Sequence, residues 1–474
     1  MNKVSAPLTF AGLTILMAGQ LLPLIDFSIV NVALDAVAAA LHASHVELEL
    51  MVAVYGVAFA VCLAMGGRLG DNFGRRRIFT LGVWLFGLAS LGCGLSTSIL
   101  MLLIARALQG IGAALIVPQI LATIHVSLSG RAHSRALGLY GSVGGMAFIV
   151  GQVLGGWLVS ADVAGMGWRS VFLINIPVCV VILLFCSRWV PETWKEQAAG
   201  VDWPGTLILA TVIVCLLVPV AMGPVFHWSW PYVAMLCLVI PLTRLFWLTE
   251  LSQQQQNRAP LMPPSLLKLS SVQFGLVLAV LFFACWSGFM FAMALTLQAG
   301  LGMSASHSGD SFVALGFAYF VGSLLSARIT AKIGQIRTLL TGCAIQMCGL
   351  IGLIATIHTV WPALTLVSLI PTTSLMGFGQ SFIVSSFFRI GLSEVPAKDA
   401  GSGSAILTTV QQAAFGLGSA LLGSLFYQIY QATQDYHDAV IGALCGELVL
   451  MSIVVISTWV YAHHRQSAKT AVAD

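Results

Sequence analysis

Long apolar runs separated by short polar breaks recur along all 474 positions of the chain. A run of about twenty apolar residues is long enough to cross a bilayer as a helix. Inside lipid the backbone must satisfy its own hydrogen bonds, so helices are the elements expected. A membrane barrel would need alternation in segments of about ten residues, and no such alternation is present. The pattern predicts fourteen spans. The first seven cover 9–34, 48–65, 78–95, 99–124, 136–159, 171–189 and 204–222. The second seven cover 231–248, 272–297, 308–327, 338–357, 360–387, 401–430 and 439–463.

Composition agrees with this reading. The chain is 58% hydrophobic and 8% charged, with a mean hydropathy of +0.95, values that exclude a soluble globular domain. The fold class is therefore an all-α polytopic membrane protein. Ten cysteines are scattered without a C-x-x-C pair, which argues against a disulfide framework or a metal site. No P-loop, H-E-x-x-H or nucleophile elbow is present, so no catalytic residue is assigned and an enzyme or membrane sensor is only a remote alternative.

Charge then orients the spans. Arg75, Arg76 and Arg77 sit between two apolar runs, and cationic short loops stay in the cytoplasm. With that loop inside, 19 of the 21 basic residues fall on the cytoplasmic side, Lys3, Lys195, Lys398 and Lys469 among them. Arg169 falls outside, and Arg106 within a span. Glu47, Glu49, Asp162, Asp435 and Asp438 are expected in the outer loops. A net charge of +4 spread in this way signals topology and no nucleic-acid partner.

A weak repeat divides the chain. Arg68, Leu69, Gly74 and Arg77 align at constant offset with Arg328, Ile329, Gly334 and Arg337, while Asp71 aligns with Ala331. This predicts a six-helix bundle over 1–190, two additional helices over 191–250, a cytoplasmic linker over 251–271, and a second six-helix bundle with a short tail over 272–474. Duplicated halves facing one another are a common construction for alternating-access carriers.

The stretch Gly67-Arg68-Leu69-Gly70-Asp71-Asn72-Phe73-Gly74-Arg75-Arg76-Arg77 resembles the signature loop of the major facilitator superfamily. The segment from Leu24 to Leu34, with Asp26 inside it, resembles the first-helix signature of the fourteen-span drug:proton antiporters in that superfamily. Arg106-Ala107-Leu108-Gln109-Gly110-Ile111-Gly112, the segment from Trp168 to Pro177, and Ala400-Gly401-Ser402-Gly403-Ser404 are similar to other motifs of the family. One motif departs from the pattern. Where the family's fifth helix reads G-P-x-x-G-G, this chain has Gly151, Gln152, Gly155 and Gly156, which removes the kink that proline imposes and keeps the glycines needed for close packing.

The resemblance implies a cytoplasmic gate built from Gly67, Arg68, Gly70, Asp71, Gly74 and Arg75. On residue chemistry, Asp71 is expected to engage arginines and helix N-terminal amides, with Gly70 and Gly74 permitting a tight turn. Arg76 and Arg77 are read mainly as topogenic charges. Asp26 and Arg106 are placed at similar depth, roughly 10 to 14 Å below the outer ends of their spans. Charges at that depth need a partner or a wet surface. Asp26 is the candidate proton carrier, biased by Arg106 and Gln109; a static ion pair that fixes packing is the competing reading. Asp310, in the first turn of the tenth span, and Glu447 are candidate cation sites. Trp286, Phe289 and Phe382 are candidate substrate contacts.

The function expected is proton-coupled export of lipophilic cations, such as quaternary ammonium biocides, dyes and cationic antiseptics, from a bacterial cytoplasmic membrane. Antiport itself is implied by the resemblance. Export of an endogenous metabolite such as an amino acid, siderophore or lipid is the alternative. No cofactor is expected, the energy source being a proton gradient, and the chain is expected to act as a monomer with both termini cytoplasmic.

Overall fold

The computed structural model describes residues 8–193, 202–223, 226, 228–256, 258, 260–396 and 400–473. Lys3, Lys195 and Lys398 lie outside the described residues. Fourteen helices among the described residues are long and apolar enough to cross a membrane. Their main segments are α1 (Phe10–Leu41), α2 (His45–Phe73), α3 (Arg75–Gly94), α4 (Ile99–Ser127), α5 (Gly130–Ala161), α6 (Asn175–Trp189, the end of a span over Gly167–Trp189) and α7 (Trp203–Met222). The rest are α8 (Trp230–Gln255), α9 (Ser270–Leu295), α10 (Val313–Ile333), α11 (Gln335–Val360), α12 (Leu366–Gly391), α13 (Ala400–Thr433) and α14 (Tyr436–Ala473). No strand occurs among the described residues.

Helix starts follow local capping chemistry. Thr9 accepts the Gly12 amide at α1, Ser98 accepts that of Met101 at α4, and Ser44 with Glu47 closes a capping box on α2, each supplying an acceptor for an amide that the helix leaves unpaired. The Ser44 cap places Glu49 inside α2, where it is buried, rather than in an outer loop. Thr365 caps α12 with Ser368, so that helix begins at Leu366 and residues 361–365 are not helical, in contrast to the span expected over 360–387. The first helix runs seven residues beyond the expected end at Leu34. The ninth span finishes in a π-helical turn at Thr296–Gly300, and a short helix, Ala305–Asp310, precedes α10.

The chain forms two compact units, one of 1–264 with Ser304–Gly309 and one of Ser265–Met303 with Asp310–Asp474. The division falls within the stretch 251–271. Each unit repeats one internal pairing. In the first, α2 and α3 both pack on α4, α1 packs on α5, and α6 packs on α1 and α3. In the second, α10 and α11 both pack on α12, α9 packs on α13, and α14 packs on α9 and α11. The additional pair, α7 and α8, pack on one another, and α7 lies on α2. The aligned glycines carry the same geometry: Gly74 closes α2 at φ 103° and Gly334 closes α10 at φ 85°. Both values lie where a Cβ is strained, so glycine is required at the same turn in both halves.

Candidate functional site

The first unit holds a buried polar cluster centred on Asp26, to which α1, α2, α3, α4 and α6 all contribute. Asp26 and Arg106 are both 0% exposed, and Arg106 Nη1 donates to Asp26 Oδ2. Asp26 Oδ1 accepts from Gln109 Nε2 at 3.0 Å and from Asn175 Nδ2 at 2.8 Å. Arg106 also donates from Nε to the Met51 carbonyl at 3.2 Å and from Nη1 to Gln109 Oε1 at 3.0 Å. Its guanidinium lies 4.3 Å from the centre of the Tyr55 ring, and its Nη2 has no hydrogen-bond acceptor among the described residues. The ring therefore supplies an electrostatic contact on the cation's face. Ser90 Oγ completes the cluster by accepting from Gln109 Nε2 at 2.8 Å and from Asn175 Nδ2 at 3.3 Å.

Several sequence expectations are refined here. Asp26 and Arg106 do meet, at one depth, although their distances from the ends of their helices differ. Asp26 lies fifteen residues, ~22 Å, from the C-terminal end of α1, whereas Arg106 lies seven residues, ~10 Å, from the N-terminal end of α4. The extension of α1 beyond its expected end accounts for the mismatch. Gln109 joins the pair as expected. Met51, Tyr55, Ser90 and Asn175 were not anticipated; Asn175 lay within a recognisable motif, while Ser90 and Tyr55 carry no local signal.

The glycine motif of α5 sets the position of α1. A Cβ on Gly151 would fall 1.9 Å from Ser28 Oγ and 2.8 Å from the Ile25 carbonyl, and one on Gly155 would fall 2.9 Å from the Ile29 carbonyl. These contacts flank Asp26 in sequence, so α5 fixes the backbone of α1 on the residues either side of the acid. Gly156 lies against the Ala305 carbonyl, 2.4 Å from the position of a Cβ. Gln152, at the usual proline position, is buried within a helix that is continuous over Gly130–Ala161.

At the other end of α2, Asp71 Oδ1 accepts from Arg75 Nη2 at 2.7 Å and from Nε at 3.2 Å. The acid on the N-terminal amides of α3 is Glu192, not Asp71: Glu192 Oε1 accepts from Arg76 N at 3.0 Å. Arg76 and Arg77 also pair with Glu192 Oε2 at 3.6 and 3.8 Å, and Arg76 Nη1 donates to the Ser187 and Val190 carbonyls. Arg76 is thus a structural clasp as well as a charge. Its partner lies 116 residues away in sequence, so local reading could not find it. Gly70 makes no turn. It lies within α2 where a Cβ would fall 1.8 Å from Gln119 Oε1, and Gly67 faces Pro118 at ordinary contact distance. Arg68 donates to the Pro260 carbonyl. Burial lowers its pKa, against the opposing attraction of Asp71, Glu250 and Asp202. Glu192→Ala is expected to lower stability by about 1 kcal/mol, through loss of an acid at a helix N-terminus, measured as thermal melting of the purified protein; an unchanged melting curve would contradict the clasp.

In the second unit, Glu447 on α14 is buried and accepts from Gln346 Nε2 on α11 at 3.2 Å, while its Oε2 has no hydrogen-bond partner among the described residues. Asp310 ends the short helix Ala305–Asp310, near the start of the tenth span over Ala305–Ile333, and is exposed. Trp286, Phe289 and Phe382 are all buried. Trp286 packs with Phe282, Phe283 and Tyr319, Phe289 with Phe312, and Phe382 with Phe378.

A duplicated helical membrane fold with a buried ion pair in one bundle is a construction that membrane carriers use. The family model described as Major Facilitator Superfamily matches residues 16–203 and 203–419, and the chain belongs to that family. It is 34% identical over 433 residues to the probable actinorhodin transporter of Streptomyces coelicolor, covering 90% of this chain and 75% of that one. It is 31% identical to the puromycin resistance protein pur8 of Streptomyces alboniger, covering 88% and 82%. It is 30% identical to the multidrug resistance protein Stp of Mycobacterium tuberculosis, covering 88% and 76%. The fold is similar to that of the human organic anion transporter MFSD10, with a TM-score of 0.64, 16% identity, and coverage of 94% of this chain and 98% of that one.

Proposed function

We propose that this transporter exports amphipathic small molecules, drugs and antibiotics among them, in exchange for protons. The observation that carries the proposal is the Asp26–Arg106 pair, buried without exposure and held by Gln109 and Asn175. A buried acid paired with one arginine among the described residues can release that partner when it takes up a proton, so protonation and conformational change become linked. Relatives named for multidrug and puromycin resistance support the class of cargo. Cationic cargo is part of the proposal, since a carboxylate freed from Arg106 would attract it. Nineteen basic residues on one side support an orientation with both termini cytoplasmic.

A second reading, export of an endogenous metabolite, draws on the charge balance of the same cluster: while Arg106 neutralises Asp26, no net negative charge is offered to a cation. Purified protein in liposomes, given an imposed pH gradient and a panel of monovalent and divalent lipophilic cations, separates the two readings. Gradient-dependent cation movement that stops on adding a protonophore is expected. Cation transport indifferent to the gradient would refute proton coupling, and an inert panel would favour the second reading.

A further inference from the structure

A second set of buried acids lies at the Gly74 end of the first unit. It faces Arg68, which is thirteen residues along α2 from Tyr55, ~20 Å by helical rise. Asp202 caps α7 by accepting the Gly205 amide on Oδ1 at 2.9 Å, and its Oδ2 has no hydrogen-bond partner among the described residues. Glu250 on α8 is wholly buried. Its Oε2 accepts from Met262 N at 2.7 Å, and its Oε1 likewise has no hydrogen-bond partner. Both unpartnered oxygens converge over Gly205, where an added Cβ would lie 2.5 Å from Glu250 Oε1 and 2.6 Å from Asp202 Oδ2.

Two ionised carboxylates cannot share such a site at ordinary cost, because both oxygens are acceptors and both charges repel. One proton between them supplies the donor that each oxygen lacks. Arg68 faces both acids, with Asp71 on its own helix, and it balances the negative charge that remains after one proton is bound. Its hydrogen bond to the Pro260 carbonyl and the Met262 amide on Glu250 tie the same group to the linker.

We infer that Asp202 and Glu250 hold one shared proton, and that this proton fastens the linker at 260–262 and the additional helices α7 and α8 to the gate motif through Arg68. The site lies apart from the Asp26 cluster and depends on no identity of cargo. It makes linker attachment responsive to the pH of the compartment that the gate faces. The proton belongs to the pair, so the two acids titrate together.

Hydrogen exchange at the Leu261 and Met262 amides, which lie among the prolines of 260–264, measured on the full-length protein in detergent, corrected for intrinsic rates and recorded across pH in sodium-free buffer, tests the inference. The proton-bound pair stabilises attachment, so protection is greatest at low pH and falls as pH rises through the pair's titration, by up to about tenfold per pH unit for one proton. Glu250→Gln and Asp202→Asn each replace the proton with an amide donor, and either variant is expected to keep its protection and lose the pH dependence. Flat protection in the wild type, or a wild-type slope in both variants, overturns the inference. Restoration of protection at high pH by sodium overturns it in favour of a metal cation. Should one variant fail to fold, infrared difference spectra of the wild type against the other decide: a protonated carboxyl stretch absent from that variant and lost over the same pH range as linker protection supports the pair, and no such difference refutes it.

Discussion

Asp26→Asn is expected to reduce gradient-driven transport to the level of protein-free liposomes while leaving substrate counterflow, which needs no net proton movement, in place. The reason lies in the hydrogen bonding. Asp26 offers one oxygen to Arg106 and the other to Gln109 and Asn175. An asparagine whose oxygen faces Arg106 turns its NH2 toward Gln109 and Asn175; Asn175 can flip to accept it while Gln109 keeps Oε1 on Arg106, so the fold survives and the proton carrier does not. Gradient-driven transport at the wild-type rate would refute the assignment. Arg106→Met has a larger effect on stability, because it strands a carboxylate that is 0% exposed; the loss expected is about 3–5 kcal/mol. Combining Asp26→Asn with Arg106→Met removes both charges, so the double variant should melt above the Arg106→Met single variant. Strict additivity of the two losses would show that the pair is not coupled.

Gly151→Val carries the second large effect. Its Cβ would fall 1.9 Å from Ser28 Oγ and 2.8 Å from the Ile25 carbonyl, and a helix backbone cannot yield as a flexible side chain can. Relief requires α1 to move away from α5 beside Asp26, which displaces the carboxylate from Gln109 and Asn175. The expected cost is about 1–3 kcal/mol, with transport lost even where the protein is still inserted. Gly141 on the same helix provides the control, since a Cβ there meets nothing within 4 Å. Gly141→Ala should gain about 0.5–1 kcal/mol from helix propensity. Thermal melting and transport measured in parallel check both variants, and equal behaviour of the two would refute the close-approach argument.

The limits of sequence reading differ from element to element. Apolar runs of span length were sufficient for fourteen helices because lipid leaves the backbone few alternatives. Their ends were less legible. The extra turns of α1 past Leu34 and the true start of α12 depend on caps and neighbours rather than on hydropathy. Asp26 and Arg106 stood out because charge in an apolar run is conspicuous. Ser90, Tyr55 and the Met51 carbonyl, equally part of the cluster, did not, since a serine, a tyrosine or a backbone oxygen in a span has no local mark of its role. Glu192 was invisible for a related reason: it is an ordinary acid after a helix until folding brings it to the start of α3.

The sequence by itself determined the helical membrane class, the number of spans, the duplicated turn at Gly74 and Gly334, and the identity of the intramembrane ion pair, because each follows from chain-local free energies of burial, charge and backbone conformation. Only the tertiary structure decided which groups surround that pair, which acid clasps the start of α3, and that Asp202 meets Glu250 over Gly205. Those are encounters between residues far apart in the chain, and no local energy term specifies them.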